Sequence, residues 1–284
     1  MEKDVKQGER IAKRLARAGV ASRREVERMI EAGRVSVNGQ KLASPALNVT
    51  DADEILVDGR PVAAAEPARL WRYHKPAGLV TSARDEKGRA TVFDRLPPEL
   101  PRVMSVGRLD LTSEGLLLLT NDGELKRKLE LPSTGWVRKY RVRANGIASD
   151  QRLKPLREGI MIGREQFQPM SVEFDQQKGA NVWLTIGLRE GKNREIRRAL
   201  EEVGLVVNRL IRISYGPFQL GDLERGAVEE VRPKILRDQL GIKREPEAAR
   251  PAHKPKGPRV RTHKPSANTP GVSLRGKKRG PSKR

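Results

Sequence analysis

GRLDLTSEGLLLLTNDG, residues 107–123, joins a polar loop to an unbroken apolar run and decides the fold of the surrounding chain. The run 116–120 predicts a buried strand because it is short, apolar and preceded by a glycine. A loop next to a buried strand is held firmly, so one of its side chains can be directed into a cleft. Asp110 is the side chain that this arrangement would present.

Asp110 is the strongest candidate for a catalytic group in the chain. The sequence contains 58 Lys+Arg, 36 Asp+Glu and no cysteine, which excludes thiolate nucleophiles, disulfides and cysteine-based zinc sites. The nearby Arg108 favours the ionised carboxylate, which can serve as a nucleophile or a base but not readily as an acid. A lone aspartate in a turn more often only bonds to the backbone, so the surrounding motifs must decide between the two roles.

Short strand-like runs dominate residues 70–242, among them 79–80, 140–142, 171–174 and 182–186, with glycine and proline between them. Fewer segments have a helical period. This mixture predicts an α+β fold with a mainly antiparallel sheet. No G-x-G-x-x-G follows a strand and no Walker-type phosphate loop occurs, so methyl transfer from S-adenosylmethionine and ATP-driven chemistry are disfavoured.

The N-terminal segment predicts a small module of two helices and a hairpin. The first helix covers about residues 9–18, and the second begins after Ser22, which with Glu25 forms a capping box. Asn38-Gly39 predicts a type I′ turn. Both helices carry a basic polar face, with Lys13, Arg14, Arg17, Arg23, Arg24 and Arg28, followed by Arg34. As a group these residues predict a phosphate-binding surface, although any one of them could be simple solvated surface.

The formal net charge of +22 predicts a polyanionic partner, nucleic acid before an anionic membrane. No apolar run approaches the ~18–20 residues of a spanning helix, and the N-terminus has no secretory signal pattern. Only three histidines occur, so a metal site is not expected. We therefore expect a cytoplasmic, monomeric RNA-binding protein with no membrane partner.

Composition divides the chain into four segments: an RNA-binding module (1–60), a linker (61–69), a larger domain (70–242) and a basic tail (243–284). The tail has 14 Lys+Arg, two Asp+Glu and seven of the 19 prolines. Such a segment buries too little apolar surface to fold, so we predict that it is disordered. It either contacts RNA nonspecifically or keeps the protein soluble.

Five segments of the sequence resemble known families. Residues 8–55, with ARAGVASRREVERMIEAGRVSVNG, are similar to an S4 domain, the small RNA-binding module of ribosomal proteins and RNA-modifying enzymes. The run 107–123, the segment 74–97, KYRV at 139–142 and the segment 190–217 resemble the motifs of the RsuA/RluB family of ribosomal RNA pseudouridine synthases. The resemblance implies an isomerase that converts uridine to pseudouridine without a cofactor, after the base leaves its stack.

The resemblance also implies a role for individual residues. Asp110 would be the catalytic aspartate and Arg108 its near neighbour. Tyr140 would stack on the target base, Ile196 would line the pocket, and Arg197 would pair with the aspartate. Further candidates for RNA contact are Lys75, Arg89, Arg194 and Arg198, whereas His74 is expected to be structural.

The segment 88–97, GRATVFDRLP, and the basic tail favour members that act on large-subunit 23S rRNA. The expected partner is ribosomal RNA or a precursor of a ribosomal subunit. Two alternatives stay open from the sequence: a synthase acting on small-subunit 16S rRNA, and a noncatalytic S4-type protein of RNA binding or ribosome assembly.

Overall fold

The N-terminal domain follows the capping signals of its sequence. The structure, a computed structural model, describes residues 8–240, so the predicted disordered tail lies outside the described residues. The elements of the domain are β1 (Glu9–Arg10), α1 (Ile11–Arg17), α2 (Arg23–Glu31), β2 (Val35–Val37), β3 (Gln40–Lys41), β4 (Asn48–Val49), β5 (Ile55–Val57) and β6 (Arg60–Pro61). Strands β3-β2-β5-β6 form one small sheet, and β1 pairs with β4.

Local interactions explain the bounds of these elements. The Ser22 hydroxyl accepts a hydrogen bond of 3.2 Å from the backbone N–H of Glu25, as the capping box predicts. The Glu25 carboxylate pairs instead with Arg28, at 3.0 Å, so only half of the box is formed. Asn38 and Gly39 have φ angles of 51° and 80°, which confirms a type I′ turn. Ile11 and Ile30 belong to the fully buried core of the domain.

The larger domain is built on a nine-stranded sheet. Its elements are β7 (Leu70–Lys75), β8 (Met104–Val106), β9 (Ser113–Thr120), α3 (Gly123–Glu130), β10 (Arg138–Asn145), α4 (Asp150–Glu158), β11 (Ile160–Ile162), β12 (Glu165–Phe167), β13 (Ser171–Lys178), β14 (Asn181–Leu188), α5 (Glu195–Glu202), β15 (Val206–Tyr215), β16 (Phe218–Gln219), β17 (Val228–Glu230) and α6 (Pro233–Leu240). Two short 3₁₀ helices, Phe93–Arg95 and Pro132–Thr134, lie between them.

The strand order is β13-β14-β10-β15-β9-β7-β17, with β8 beside β9 and β16 beside β15. All the pairings in this sheet are antiparallel except that of β15 with β9, which confirms the predicted mainly antiparallel α+β fold. The runs predicted at 116–120, 140–142, 171–174 and 182–186 lie in β9, β10, β13 and β14. The run 79–80 forms only an isolated bridge from Val80 to Thr91.

Strand β9 is covered on both faces. Leu117 and Leu119 pack into the main core with β10 and β14, whereas Leu116 and Leu118 pack against α3 and α6. All eight residues of β9 are buried, which explains why the leucines run without polar alternation. None of the described helices is long and apolar enough to cross a membrane.

The two domains touch through an ion pair. Residues 62–69 connect β6 to β7, and Lys13 Nζ on α1 lies 2.5 Å from Glu124 Oε1 on α3. The hydrogen bond to Glu124 raises the pKa of Lys13. The S4-like module therefore contacts the larger domain at the helix that follows β9.

Gly115 lets β9 approach β15 closely. Its φ is +101°, and an added Cβ would overlap the carbonyl oxygen of Arg212 and lie 2.7 Å from the Arg212 nitrogen. A side chain at this position would be strained by the backbone and by the neighbouring strand together.

We expect Gly115→Ala to lower the free energy of unfolding by at least ~3 kcal/mol, because left-handed strain and overpacking add. Gly88→Ala is the matched control, since Gly88 also has a positive φ but an added Cβ would meet nothing within 4 Å. Its expected cost is about 1 kcal/mol. Urea unfolding of both variants measures the difference, and equal losses would contradict the close approach as the cause.

Candidate active site

A buried lysine holds the backbone of the loop that carries Asp110. Lys75, at the end of β7, is fully buried, and its ammonium donates to the carbonyl oxygens of Pro76, Asp110 and Ser113 at 3.0, 3.1 and 2.9 Å. Burial lowers its pKa to about 8, because desolvation disfavours the charged form. The three hydrogens of the ammonium are thus each matched by one carbonyl.

A buried arginine completes this support from the other side. Arg212 on β15 is 2% exposed. Its Nε donates to the carbonyl of Leu116 at 2.6 Å, and its Nη1 lies 3.5 Å from the carbonyl of Arg108. The guanidinium also lies over the ring of Tyr215, 5.3 Å from the centroid. Two cations therefore hold the loop before and after Asp110.

Neutral and acidic groups anchor the remainder of the loop. The Thr81 hydroxyl donates to the carbonyl of Leu109 at 2.8 Å. The Glu130 carboxylate accepts from the N–H of Gly107 at 2.6 Å, and the N–H of Gly78 donates to the carbonyl of Leu111 at 2.7 Å. Hydrogen bonds therefore also fix the loop backbone at residues 107, 109 and 111.

The Asp110 carboxylate, in contrast, has only one long ion-pair contact among residues 8–240. Its side chain is 37% exposed, and the nearest cation is Arg194 Nη1, 3.9 Å from Oδ2. Within residues 8–240 no hydrogen bond to this carboxylate is formed. A fixed backbone that carries a carboxylate without hydrogen bonds is the arrangement expected of a nucleophile or a base.

Asp110 lies at a small pocket of about 110 Å³, whose walls include Tyr140, Leu188, Ile196 and Leu210. For comparison, a cavity of roughly 150 Å³ can take benzene, so the pocket is somewhat smaller than a cavity that holds one six-membered ring. Arg108 also lines it. The structure thus brings Arg108, Tyr140 and Ile196 to Asp110, as the sequence predicted.

Glu195 supports the loop that precedes α5. The residue is 4% exposed, and its Oε2 accepts from the N–H of Lys192 at 3.0 Å. Burial raises its pKa, because the charged carboxylate is poorly solvated. Between these two residues, Arg194 adopts a left-handed φ of 50°, and its side chain reaches Asp110. Glu195 therefore helps to position the cation next to the candidate catalytic group.

Comparison with known proteins shows which family the chain belongs to. Residues 69–202 match the family described as RNA pseudouridylate synthase, and residues 9–55 match the S4 domain. A protein of Rickettsia felis named "Uncharacterized RNA pseudouridine synthase" is 47% identical over 228 residues, 80% of this chain and 99% of that protein. The chain belongs to the RNA pseudouridine synthase family. It is thus an isomerase, and the resemblance seen in its motifs is confirmed.

Other relatives agree with this assignment. "Ribosomal large subunit pseudouridine synthase B" of Haemophilus influenzae is 42% identical over 252 residues, 85% of this chain and 70% of that protein. The protein of the same name in Escherichia coli O157:H7 is 43% identical over 231 residues, 78% of this chain and 79% of that protein. A solved structure, "Crystal structure of pseudouridylate synthase", matches with a TM-score of 0.56 at 25% identity, over 82% of this chain and 99% of that one.

Two predicted residues of the synthase have different surroundings from those expected. Arg197 does not pair with Asp110: its guanidinium donates to the carbonyl of Val207 at 3.2 Å and to the Thr112 hydroxyl at 3.1 Å. Arg194 contacts Asp110 instead, because it lies about one helical turn earlier and lines the pocket. Lys75 cannot contact RNA as predicted, because it is fully buried and its ammonium donates to three backbone carbonyls.

Other predicted RNA contacts of the synthase are engaged within the protein. The guanidinium of Arg89 pairs with Asp85 at 2.7 Å, and that of Arg198 pairs with Glu165 at 2.7 Å while lying over Phe167. In the S4 domain the ion pairs are Arg14 with Asp51, Arg17 with Glu9 and Arg28 with Glu25. Among the described residues, Arg23 and Arg24 form no ion pair.

His74 and the potential metal ligands were the remaining candidates from the sequence. His74 Nδ1 lies 2.7 Å from the carbonyl oxygen of Leu223, which agrees with a structural role. Across residues 8–240 no cluster of three or more potential metal ligands occurs.

Sequence reasoning missed Arg212 and misread Lys75, although a signal for both was present. In β15 Arg212 falls on the same period-2 register as the buried Leu210 and Ser214, and in β7 Lys75 shares its register with Trp71 and Tyr73. A cation on the inward register of a strand predicts a buried charge with bound carbonyls. Glu195 carried no comparable signal.

We expect Lys75→Met to lower the free energy of unfolding by about 3 kcal/mol, because three buried carbonyls lose their donor. Urea unfolding measures the change. Lys87→Met is the control, since Lys87 is exposed and its removal should cost less than ~0.5 kcal/mol. Equal stabilities of the two variants would contradict the support that Lys75 gives to the loop.

Glu195→Gln tests the buried carboxylate. Because the folded pKa is raised, the folded state binds a proton more tightly than the unfolded state, and stability falls as pH rises through the interval between the two pKa values. We expect the variant to be more stable than the wild type at about pH 8, and this advantage to shrink at about pH 4. Glu202→Gln on the exposed side of α5 is the control for urea unfolding, and a pH-independent difference would refute the effect.

Proposed function

We propose that this synthase converts a uridine of large-subunit ribosomal RNA to pseudouridine, with Asp110 as the catalytic carboxylate acting on a base flipped out of the RNA. The supporting observation is a carboxylate that accepts no hydrogen bond from the described residues, on a rigid loop at a small pocket walled by Tyr140 and apolar side chains. The choice of the large subunit rests on the two relatives named ribosomal large subunit pseudouridine synthase B and on the segment 88–97.

The reaction suits the groups at hand. The N1–C1′ bond breaks, a C5–C1′ bond forms, a proton leaves C5 and N1 takes one up, so atoms balance with no redox change and no phosphoryl transfer. A carboxylate can attack the ribose carbon or act as a base, and the uracil ring can carry charge as it leaves. Asp110 serves either route from the same position.

The pocket supplies what a flipped base requires. Unstacking costs a few kcal/mol, which stacking on an aromatic ring and contact with apolar walls offset. Tyr140 provides the ring, and Leu188, Ile196 and Leu210 provide the walls.

The test is to map pseudouridines in both large- and small-subunit rRNA from a strain that lacks the chain, complemented with the wild type, Asp110→Asn or the control Asp175→Asn. Asp175 is an exposed carboxylate on β13, outside the pocket. We expect one large-subunit pseudouridine to vanish without the chain, to return with the wild type and the control, and to stay absent with Asp110→Asn. The affinity of Asp110→Asn for RNA should be nearly unchanged.

Each other result contradicts one part of the proposal. Unchanged pseudouridine with Asp110→Asn would exclude this carboxylate. Loss from small-subunit rRNA would reassign the substrate. An unchanged map in the strain without the chain would exclude ribosomal RNA as the substrate.

A further inference from the structure

Two larger cavities extend from the pocket toward the S4 domain. The first, of about 600 Å³, shares Arg108, Asp110 and Arg194 with the pocket. The second, of about 520 Å³, lies between the S4 domain and the start of α3. Arg102, Met104 and Lys126 line both of them. We call this continuous path, from Asp110 past Arg102 to Arg23, the interdomain groove.

The groove is basic, and its acids are already engaged. Asp122 caps α3 by accepting from the N–H groups of Glu124 and Leu125. Glu124 pairs with Lys13 at 2.5 Å. Glu130 accepts from Gly107 and from Lys126. These carboxylates therefore leave the other cations of the groove without a partner.

Four cations of the groove are exposed and unengaged: Arg23, Arg102, Arg108 and Arg127. Within the part of the chain that the structure describes, none of their guanidinium groups forms a hydrogen bond or an ion pair. Arg102 stands where the two cavities meet. A row of unpaired guanidinium groups along a groove fits a partner that carries regularly spaced negative charges.

Only some of the basic residues of the S4 domain line the groove. Arg23 and Arg17 line it, whereas Arg24, on the same helix as Arg23, does not. Arg14 lines a different cavity with Asp51. Only part of the basic surface predicted from the sequence therefore faces the path to Asp110.

From this arrangement we infer that the interdomain groove binds the sugar–phosphate backbone of the RNA strand next to the flipped uridine, with Arg102 and Arg23 each neutralising a phosphate. The inference rests on the proposed function, because it places the strand relative to Asp110. Arg102 is then a positioning residue: it holds the strand so that the uridine reaches the pocket, and it does not touch the reacting atoms.

The test uses the full-length chain and an unmodified in vitro transcript of large-subunit rRNA from the same organism. The rate of pseudouridine formation is followed at excess enzyme and several salt concentrations. This gives a maximal rate and a half-saturating enzyme concentration for the wild type, Arg102→Ala, Arg102→Lys, Arg23→Ala and the control Arg24→Ala. Filter binding of the same variants in the Asp110→Asn background measures RNA affinity without turnover.

We expect Arg102→Ala and Arg23→Ala each to raise the half-saturating concentration about tenfold with an unchanged maximal rate. Each should also lower the slope of log affinity against log salt by roughly 0.7–0.9, the value for one lost phosphate contact. Arg102→Lys keeps the charge, so it should retain the wild-type slope. Arg24→Ala should match the wild type in both quantities.

An Arg102→Ala variant that binds like Arg24→Ala, or that loses maximal rate alone, would overturn the inference. So would an unchanged salt slope. If the wild type forms no pseudouridine but Arg102→Ala still lowers the slope in filter binding, the proposed function fails and the groove stands. If the wild type is active and Arg102→Ala has no effect, the groove fails and the proposed function stands.

Discussion

The structure depends on two buried cations that hold one loop by its carbonyl oxygens. Lys75 and Arg212 lie on different strands, β7 and β15, and both direct their donors at the backbone around Asp110. Burying a charge costs several kcal/mol unless its hydrogen-bonding groups are satisfied. Here backbone carbonyls provide that compensation for all three hydrogens of Lys75, whereas Arg212 gains it for Nε and Nη1 and its buried Nη2 forms no hydrogen bond within residues 8–240.

The sheet is arranged so that these cations can meet. Strand β9 lies between β7 and β15, and it is covered on both faces by apolar residues. Gly115 allows β15 to come close enough for Arg212 to reach the carbonyl of Leu116. Glu114, the residue before this glycine, pairs with Arg209 and Arg225. The hydrogen bond from Arg209 keeps the pKa of Glu114 low.

This rigidity has a direct consequence for the active site. Hydrogen bonds fix the loop backbone at residues 107, 109–111 and 113. The loop therefore keeps its position although the Asp110 carboxylate accepts no hydrogen bond from the described residues. In the groove, the carboxylates cap a helix or pair within the protein. Several of its arginines, in contrast, have no partner among the described residues. A polyanion is attracted to such a surface, yet the candidate catalytic carboxylate is not neutralised by a direct hydrogen bond. Much of this fold and part of the site could be predicted from sequence. Capping residues and glycines set the bounds of α1 and α2, because these signals are local. Short apolar runs predicted β9, β10, β13 and β14, and the four motifs identified the family and placed Asp110, Tyr140 and Ile196 in one site.

The partners of the charged residues could not be predicted in this way. Arg194 rather than Arg197 approaches Asp110 because the helix α5 begins after a left-handed residue and turns Arg197 toward Thr112. Lys75 became a buried support because the end of β7 places its ammonium among the carbonyls of Pro76, Asp110 and Ser113. The sequence by itself determined which elements form and which carboxylate stands next to the buried strand, since both follow from local periodicity. Only the tertiary structure decided which cations bind within the protein and which remain unpaired among the described residues, because ion pairs join residues far apart in the chain and depend on burial and distance.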